Sequence, residues 1–247
     1  MSVGDRRYLI DAGEGVSRQL ARAGTEVRDI DGVFLTHLHD DHTAGLPGIV
    51  TFRHTMRGGS LPLIGPPGAR ALRDGILAYL DVNFRIRSAE AAMQSPEGIL
   101  DATEVEPGII YSDDDVRVTA VENTHYALTE FDRRHRSYAL RFDAPDRSVV
   151  FTGDTGVSAA VEQLARGVDI LVAEMVTDAD TAAVPPFVRA HMVKEHLSPI
   201  QVGQLAAQAE VGCVVLSHYT QATADDLAQI RGEFSGEVIP GEDLMQL

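Results

Sequence analysis

Short apolar runs alternate along the chain with longer amphipathic segments, a pattern that predicts a mixed α/β fold. The clearest apolar runs are rich in β-branched residues and predict buried strands at 31–35, 148–152, 168–173 and 213–217. Alternating side chains predict a hairpin over 109–121. No repeat or low-complexity linker interrupts this pattern, so we expect one domain over residues 1–247.

Helical periodicity predicts helices over 16–23, from 69 to about 80, over 157–166 and from 199 to about 210. The last of these begins with a capping box formed by Ser198 and Gln201. Residues 81–104 show no clean period and are predicted to be irregular, either a lid or rim over a site or a surface insertion. Residues 177–190 are predicted to form a loop.

The strand at 31–35 runs directly into a segment rich in histidine. There His37, His39, Asp41 and His42 offer imidazole nitrogens and a carboxylate oxygen, which suit zinc and similar divalent metals. A polar loop that happens to contain several histidines is the alternative interpretation. Four potential ligands at this spacing favour the metal site.

This cluster resembles the His-x-His-x-Asp-His signature of the metallo-β-lactamase superfamily. The resemblance implies a four-layer αβ/βα sandwich, with N-terminal strands shortened because few residues precede the first strand here. It implies two divalent ions, most simply zinc, with manganese and iron as alternatives, bridged by Asp154. Asp11 is implied to support the metal-binding loop. The implied ligands are His37, His39 and His125 for one ion, and Asp41, His42 and His218 for the other.

The second half of the chain resembles the ribonuclease Z-like and arylsulfatase-like branch of that superfamily, at 171–174, 196–198 and 216–219. That resemblance implies a pair, Glu174 and His196, in which the histidine protonates the leaving group. The candidate catalytic residues are therefore Asp41, Glu174 and His196. His191 is interpreted as a surface histidine, with a pocket residue as the alternative.

The formal net charge of −16 disfavours a polyanionic partner, unless a local basic patch is present. The densest basic stretch, 133–136, follows acidic residues and is interpreted as a solvated loop. The tRNA-processing enzymes of the branch carry a long arm between the motif histidine and the bridging aspartate, where this chain has only residues 126–153. We therefore expect a small ester-like substrate (a phosphodiester, sulfate ester, lactone or carboxylic ester) and no nucleic acid.

Three other functions remain open at this point. They are a ribonuclease Z-like nuclease acting on RNA, a non-catalytic member of the fold, and a redox member that holds iron. No apolar run reaches the roughly 20 residues of a membrane helix, and no signal peptide is visible, so we expect a cytoplasmic protein with no membrane partner. A bare edge strand at the N-terminal end would favour a homodimer.

Overall fold

The chain forms two compact units in the computed structural model, which describes residues 1–91, 93–127 and 135–247. Unit 1 comprises Met1–Val105 with Gln246, and unit 2 comprises Glu106–Met245 with Leu247. Arg133 and Arg134, the centre of the basic stretch, lie outside the described residues.

Unit 1 is built on a five-stranded sheet in the order β1-β2-β3-β4-β5. Strands β2 to β5 run parallel, with a helical segment in each of the three connections between them, and β1 pairs antiparallel with β2 at the edge. The homodimer that a bare edge would favour stays a prediction. The strands are β1 Ser2–Val3, β2 Arg6–Ile10, β3 Gly32–Phe34, β4 Leu61–Gly65 and β5 Leu100–Glu104.

The helices of unit 1 bury aliphatic side chains against this sheet. Leu46, Ile49 and Val50 from one of them share a core with Val33 and Leu63 of the strands. The helices are α1 Val16–Arg22, α2 Asp40–Thr43, α3 Leu46–Thr55 and α4 Ala69–Ala91, with a 3₁₀ turn at Val27–Asp29.

Helix α4 is longer than its sequence pattern predicts. It continues past Leu80 to Ala91, and β5 then occupies the end of the segment predicted to be irregular. Beyond Leu80 the helix is mostly solvent-exposed, so no apolar period marks it, and a pair between Arg85 and Asp81 four residues apart supports it instead. The prediction that residues 81–104 are irregular is therefore wrong over 81–91 and 100–104.

Unit 2 contains a seven-stranded sheet in the order β12-β11-β10-β9-β8-β7-β6. The pairs from β6 to β9 are antiparallel and those from β9 to β12 are parallel. The hairpin prediction is confirmed by β6 and β7. The strands are β6 Gly108–Ser112, β7 Arg117–Glu122, β8 Tyr138–Asp143, β9 Ser148–Phe151, β10 Ile170–Glu174, β11 Cys213–Ser217 and β12 Glu237–Pro240.

The loop predicted at 177–190 is confirmed only over 184–188, because one short helix occupies Asp178–Ala183 and a second begins at Arg189. Thr177 and Asp180 form a capping box that starts the first of them, a signal that the sequence carries although no apolar run follows it. The capping box at Ser198 is confirmed, since its backbone N–H donates to Gln201 Oε1 at 2.9 Å. The helices of unit 2 are α5 Ala159–Ala165, α6 Asp178–Ala183, α7 Arg189–Glu195, α8 Pro199–Gln208 and α9 Ala224–Glu233. Within the described ranges, none of the helices of either unit is long and apolar enough to cross a membrane.

A buried arginine joins three segments of unit 1. Arg53 of α3 donates from Nη1 to the carbonyl oxygens of Val27 at 2.9 Å and Ile30 at 2.8 Å. Its Nε donates to the carbonyl oxygen of Gly59 at 2.7 Å. The planar guanidinium therefore ties the 3₁₀ turn and the loop after α3 to one helix.

We expect Arg53→Lys to lower the free energy of unfolding by about 2–3 kcal/mol, because a lysine cannot reach all of these carbonyl groups and a buried polar group without a partner is costly. Urea denaturation followed by circular dichroism measures the change. The control, Arg85→Lys on exposed α4, should cost under about 0.5 kcal/mol. Equal unfolding midpoints for the two variants would contradict this role of Arg53.

Candidate metal centre and active site

The histidine-rich segment of unit 1 leaves the carboxyl end of β3, beside the end of the parallel strand β2. Asp11 follows β2 and connects the two strand ends. Its Oδ1 accepts a hydrogen bond from the Thr36 backbone N–H at 2.8 Å, and its Oδ2 accepts one from the Thr36 hydroxyl at 2.8 Å. The Asp11 carboxylate therefore fixes the start of the segment that carries the four predicted ligands.

Asp11 and Thr36 also determine which ring nitrogens of two histidines face outward from this network. His42 Nδ1 lies 2.8 Å from Asp11 Oδ2 and donates to that carboxylate. The Thr36 hydroxyl gives its hydrogen to Asp11 and so accepts one from His37 Nδ1, 3.0 Å away. Both rings therefore present Nε2 as the lone-pair nitrogen, which is the arrangement of a histidine ligand whose Nδ1 is held by a hydrogen-bond acceptor.

The imidazoles of this segment are packed against one another. The ring centroid of His37 lies 4.0 Å from that of His42 and 4.9 Å from that of His39. Asp41 lies beside them, with Oδ2 at 3.7 Å from His42 Nε2. The side chain of Asp41 is more exposed than that of His42. Three imidazoles and a carboxylate at this spacing form a donor set that fits a divalent cation.

Two glycines allow the turn after β2 to lie directly against this segment. A Cβ atom on Gly13 would lie 2.2 Å from the carbonyl oxygen of Asp41, and one on Gly45 would lie 2.1 Å from the carbonyl oxygen of Gly13. Backbone hydrogen bonds connect Ala12 to His42 at 2.7 Å and to Gly45 at 2.8 Å. The segment is thus held by backbone contacts that a larger residue would displace.

The remaining predicted site residues lie together in unit 2, at the carboxyl ends of strands that share one sheet. Asp154 follows β9, Glu174 ends β10 and His218 follows β11, and these three strands are parallel neighbours. His125 follows β7, which runs in the same direction because two antiparallel pairings separate it from β9. All four side chains therefore converge on one edge of this sheet.

A single carboxylate lies close to two imidazoles at that edge. Asp154 Oδ2 is 3.8 Å from His125 Nε2 and 3.5 Å from His218 Nε2. Donor atoms held by one tetrahedral zinc lie roughly 3.3 Å apart, from bond lengths of about 2.0–2.1 Å. His125 Nδ1 donates to the Glu195 carbonyl oxygen at 3.1 Å, which leaves Nε2 as its lone-pair nitrogen. The positions of these residues, and the tautomer of His125, fit metal ligation.

The pair implied by the resemblance is also formed. His196 Nδ1 lies 3.3 Å from Glu174 Oε2, and both side chains are buried. Glu174 Oε1 accepts hydrogen bonds from the backbone N–H groups of Leu197 at 2.8 Å and Thr155 at 3.2 Å. Burial raises the pKa of Glu174, and its contact with His196 opposes that rise. The ring of His196 stacks on His218 with a centroid separation of 6.0 Å.

His191 belongs to the same group, contrary to its interpretation as a surface histidine. It is half-buried on α7, its Nδ1 contacts Glu195 Oε2, and its Nε2 lies 3.4 Å from His196 Nε2. The sequence signal for it is the spacing of four between His191 and Glu195, which places the two on one helical face. That signal was missed because α7 itself was predicted to be partly loop. His54, by contrast, is buried in unit 1 and contacts the Gln94 carbonyl oxygen.

The family model of the β-lactamase superfamily domain matches residues 6–219. The chain belongs to this superfamily. The Ribonuclease Z of Mycobacterium avium (strain 104) is 31% identical to it over 252 aligned positions, covering 98% of this chain and 87% of that protein. The assignment to the ribonuclease Z-like branch is therefore confirmed.

Solved structures confirm the fold class. The metallo-β-lactamase fold protein YhfI from Bacillus subtilis superposes with a TM-score of 0.71 at 19% identity, over 97% of this chain and 86% of that one. The short form of human tRNase Z superposes with a TM-score of 0.68 at 21% identity, over 99% of this chain and 89% of that one. The α/β fold with two sheets flanked by helices, and the prediction of a metal-dependent hydrolase, are both confirmed.

The prediction about partners is wrong. Net charge and the short interval after His125 favour a small-molecule substrate and disfavour nucleic acid, yet relatives named Ribonuclease Z match over 98% of this chain. Net charge sums over the whole surface, whereas RNA is bound through local cations and exposed aromatic rings. The net charge of −16 is therefore too coarse a quantity to exclude a nucleic-acid partner.

We expect Asp11→Asn to weaken metal binding by about 10–100-fold, because the carboxylate that orients His42 becomes a neutral amide. Asparagine tolerates the left-handed backbone of Asp11, where φ is 58°, so the change leaves the turn intact. Competition with a chromophoric chelator measures the affinity. Asp31→Asn is the matched control, since Asp31 accepts a backbone hydrogen bond from Arg7 beside the same strand. Equal metal affinity in the two variants would contradict the orienting role.

Proposed function

We propose that the chain is a metal-dependent ribonuclease that hydrolyses phosphodiester bonds of RNA. Two lines support this: the identity to Ribonuclease Z along nearly the whole chain, and the position of Asp154 between His125 and His218 in unit 2. The identity to Ribonuclease Z supports RNA as the substrate. The position of Asp154 carries the metal-dependent hydrolysis, since a carboxylate close to two imidazoles fits a ligand shared by two metals. The two units would act as one hydrolase domain over residues 1–247.

The proposed cofactors are two divalent ions, most simply zinc. Bound there, they would activate water for attack and polarise the phosphodiester. The donor set is the seven residues that the family signature implies. These are His37, His39, Asp41, His42, His125, Asp154 and His218.

The chain's own residues would orient this donor set and the attacking water. Asp11 and Thr36 hold His42 and His37 in the tautomer that a metal requires, and the Glu195 carbonyl oxygen does the same for His125. Asp41 is more exposed, at 56% of its side-chain surface, so its carboxylate could also accept a hydrogen bond from the attacking water. We assign Asp41 that second role as a catalytic residue.

His196 would supply the proton that the leaving alkoxide needs. Each of the seven proposed ligands is committed to a metal, so none of them can donate it. An imidazole beside a carboxylate suits the task, since Glu174 Oε2 lies 3.3 Å from His196 Nδ1 and orients the ring. Glu174 acts through His196 and is therefore a positioning residue.

RNA would be bound through exposed groups near His196. Phe187 is 86% exposed, immediately before α7, and Arg189 and Lys194 are exposed on that helix. An unstacked base can lie on an exposed aromatic ring, and the two cations can contact phosphates. This combination would provide a local site for RNA on a chain whose net charge is negative.

The proposal is tested by hydrolysis of two RNAs, one unstructured and one folded with an unpaired 3′ tail, with zinc or manganese. Metal-loaded wild type should cleave RNA, a chelator should abolish cleavage, and Asp154→Ala should lose both metal and activity. Failure to cleave either RNA in any metal would refute the proposal. Full activity in Asp154→Ala would refute the role of that carboxylate.

We expect His196→Ala to slow RNA hydrolysis by about 10²–10⁴-fold, because the alkoxide leaving group loses its proton donor. Hydrolysis of bis(4-nitrophenyl) phosphate releases a stabilised phenolate. The substitution should therefore slow this reaction far less. Turnover of both substrates and metal content per chain are measured in parallel. Equal losses for the two substrates, or loss of metal, would show that His196 only anchors the start of α8.

We expect Phe187→Ala to weaken RNA binding by about 5–150-fold, since stacking of one base on an aromatic ring contributes about 1–3 kcal/mol. Fluorescence anisotropy with a labelled RNA measures the affinity. Ile109→Ala is the control, because Ile109 is an exposed apolar residue on β6, 66% exposed. Identical affinities in wild type and both variants would exclude this surface from RNA binding.

A further inference from the structure

We propose that unit 2 contains an additional metal site, formed by His191 and His196, that takes zinc or a similar divalent cation. The site is separate from the seven ligands of the proposed dinuclear centre. His191 Nε2 and His196 Nε2 face each other at 3.4 Å. Two nitrogens bound to one tetrahedral zinc lie roughly 3.3 Å apart, given bond lengths of about 2.0–2.1 Å.

Each of the two imidazoles has a buried carboxylate behind its other nitrogen. His191 Nδ1 contacts Glu195 Oε2, and His196 Nδ1 lies 3.3 Å from Glu174 Oε2. Glu195 is 1% exposed and Glu174 is 3% exposed. A carboxylate that accepts from Nδ1 fixes the tautomer with its lone pair on Nε2, which is the standard support for a histidine metal ligand. Both histidines have this support, and the lone pairs on their Nε2 atoms point towards each other.

The two facing lone pairs repel each other unless a cation lies between them. A divalent ion bound to both nitrogens removes the repulsion and uses the orientation that each carboxylate imposes. A shared proton between the rings is the competing explanation, and the two differ in the number of metals bound. The imidazole of His125 is close, with ligand nitrogens of all three histidines within 4.8 Å of one another.

His125 is already assigned to the dinuclear centre, so the additional ion would have two histidine ligands and complete its coordination with water. Fewer protein ligands imply weaker binding than at the dinuclear centre. The site would therefore fill only when metal exceeds the two equivalents that the centre needs.

Occupation of this site would inhibit the enzyme at high zinc. The ion would bind His196 Nε2, the nitrogen that donates the proton to the leaving group. This consequence rests on the proposed function, whereas the existence of the site does not. Inhibition by zinc should therefore depend on the leaving group of the substrate, because a phenolate leaves without a proton donor.

The site is tested by counting metals. Metal-free full-length protein is titrated with zinc against a chromophoric chelator, and bound zinc is measured by elemental analysis. Wild type should bind a third, weaker equivalent, which His191→Ala should lose while keeping the first two. His135→Ala, which removes an exposed histidine outside the cluster, should bind like wild type. A third equivalent bound equally by wild type and His191→Ala, or no third equivalent in wild type, would overturn the proposal.

Two further measurements distinguish the existence of the additional metal site from its inhibition of the enzyme. Glu195→Gln should weaken the third ion by about 10–100-fold without removing it, since the change affects only the orienting carboxylate. Excess zinc should inhibit wild type on RNA but not on bis(4-nitrophenyl) phosphate, and His191→Ala should resist that inhibition. Inhibition that persists in His191→Ala would overturn the inhibitory role. Absence of any RNA cleavage would instead refute the proposed function, and the metal count would still decide whether the site exists.

Discussion

One carboxylate between two imidazoles is the interaction on which the chemistry of unit 2 depends. Asp154 is buried, and its Oδ2 lies within 3.8 Å of ring nitrogens from both His125 and His218. A buried charge at this position is costly unless cations or hydrogen-bond donors compensate it. Divalent cations held by the same imidazoles would compensate it, which relates the stability of this sheet edge to metal binding.

Strand direction explains why these residues meet. Three parallel strands and one further strand of the same direction end at one sheet edge, so residues distant in sequence become neighbours there. In unit 1, Asp11 and the histidine-rich segment meet for the same reason, because the parallel strands β2 and β3 end side by side. Each predicted ligand follows an apolar run, which is why the sequence predicts that these residues lie at sheet edges. Their role as metal ligands comes from the resemblance to the superfamily signature and stays a prediction.

The parts that sequence could not predict are those without an apolar period. The second half of α4 is exposed and supported by charge pairs such as Arg85 with Asp81, so it resembles an irregular segment. Helices α6 and α7 are short, and only the capping box at Thr177 marks the start of the first. His191 was misinterpreted for the same reason, because without α7 its contact with Glu195 cannot be inferred.

We propose that Asp154 is shared by two metal ions. Anomalous diffraction at the zinc edge tests this sharing, with crystals grown with two equivalents of zinc per chain. We expect two anomalous peaks within coordination distance of Asp154, one beside His125 and the other beside His218. A single peak, or peaks with no contact to Asp154, would contradict it.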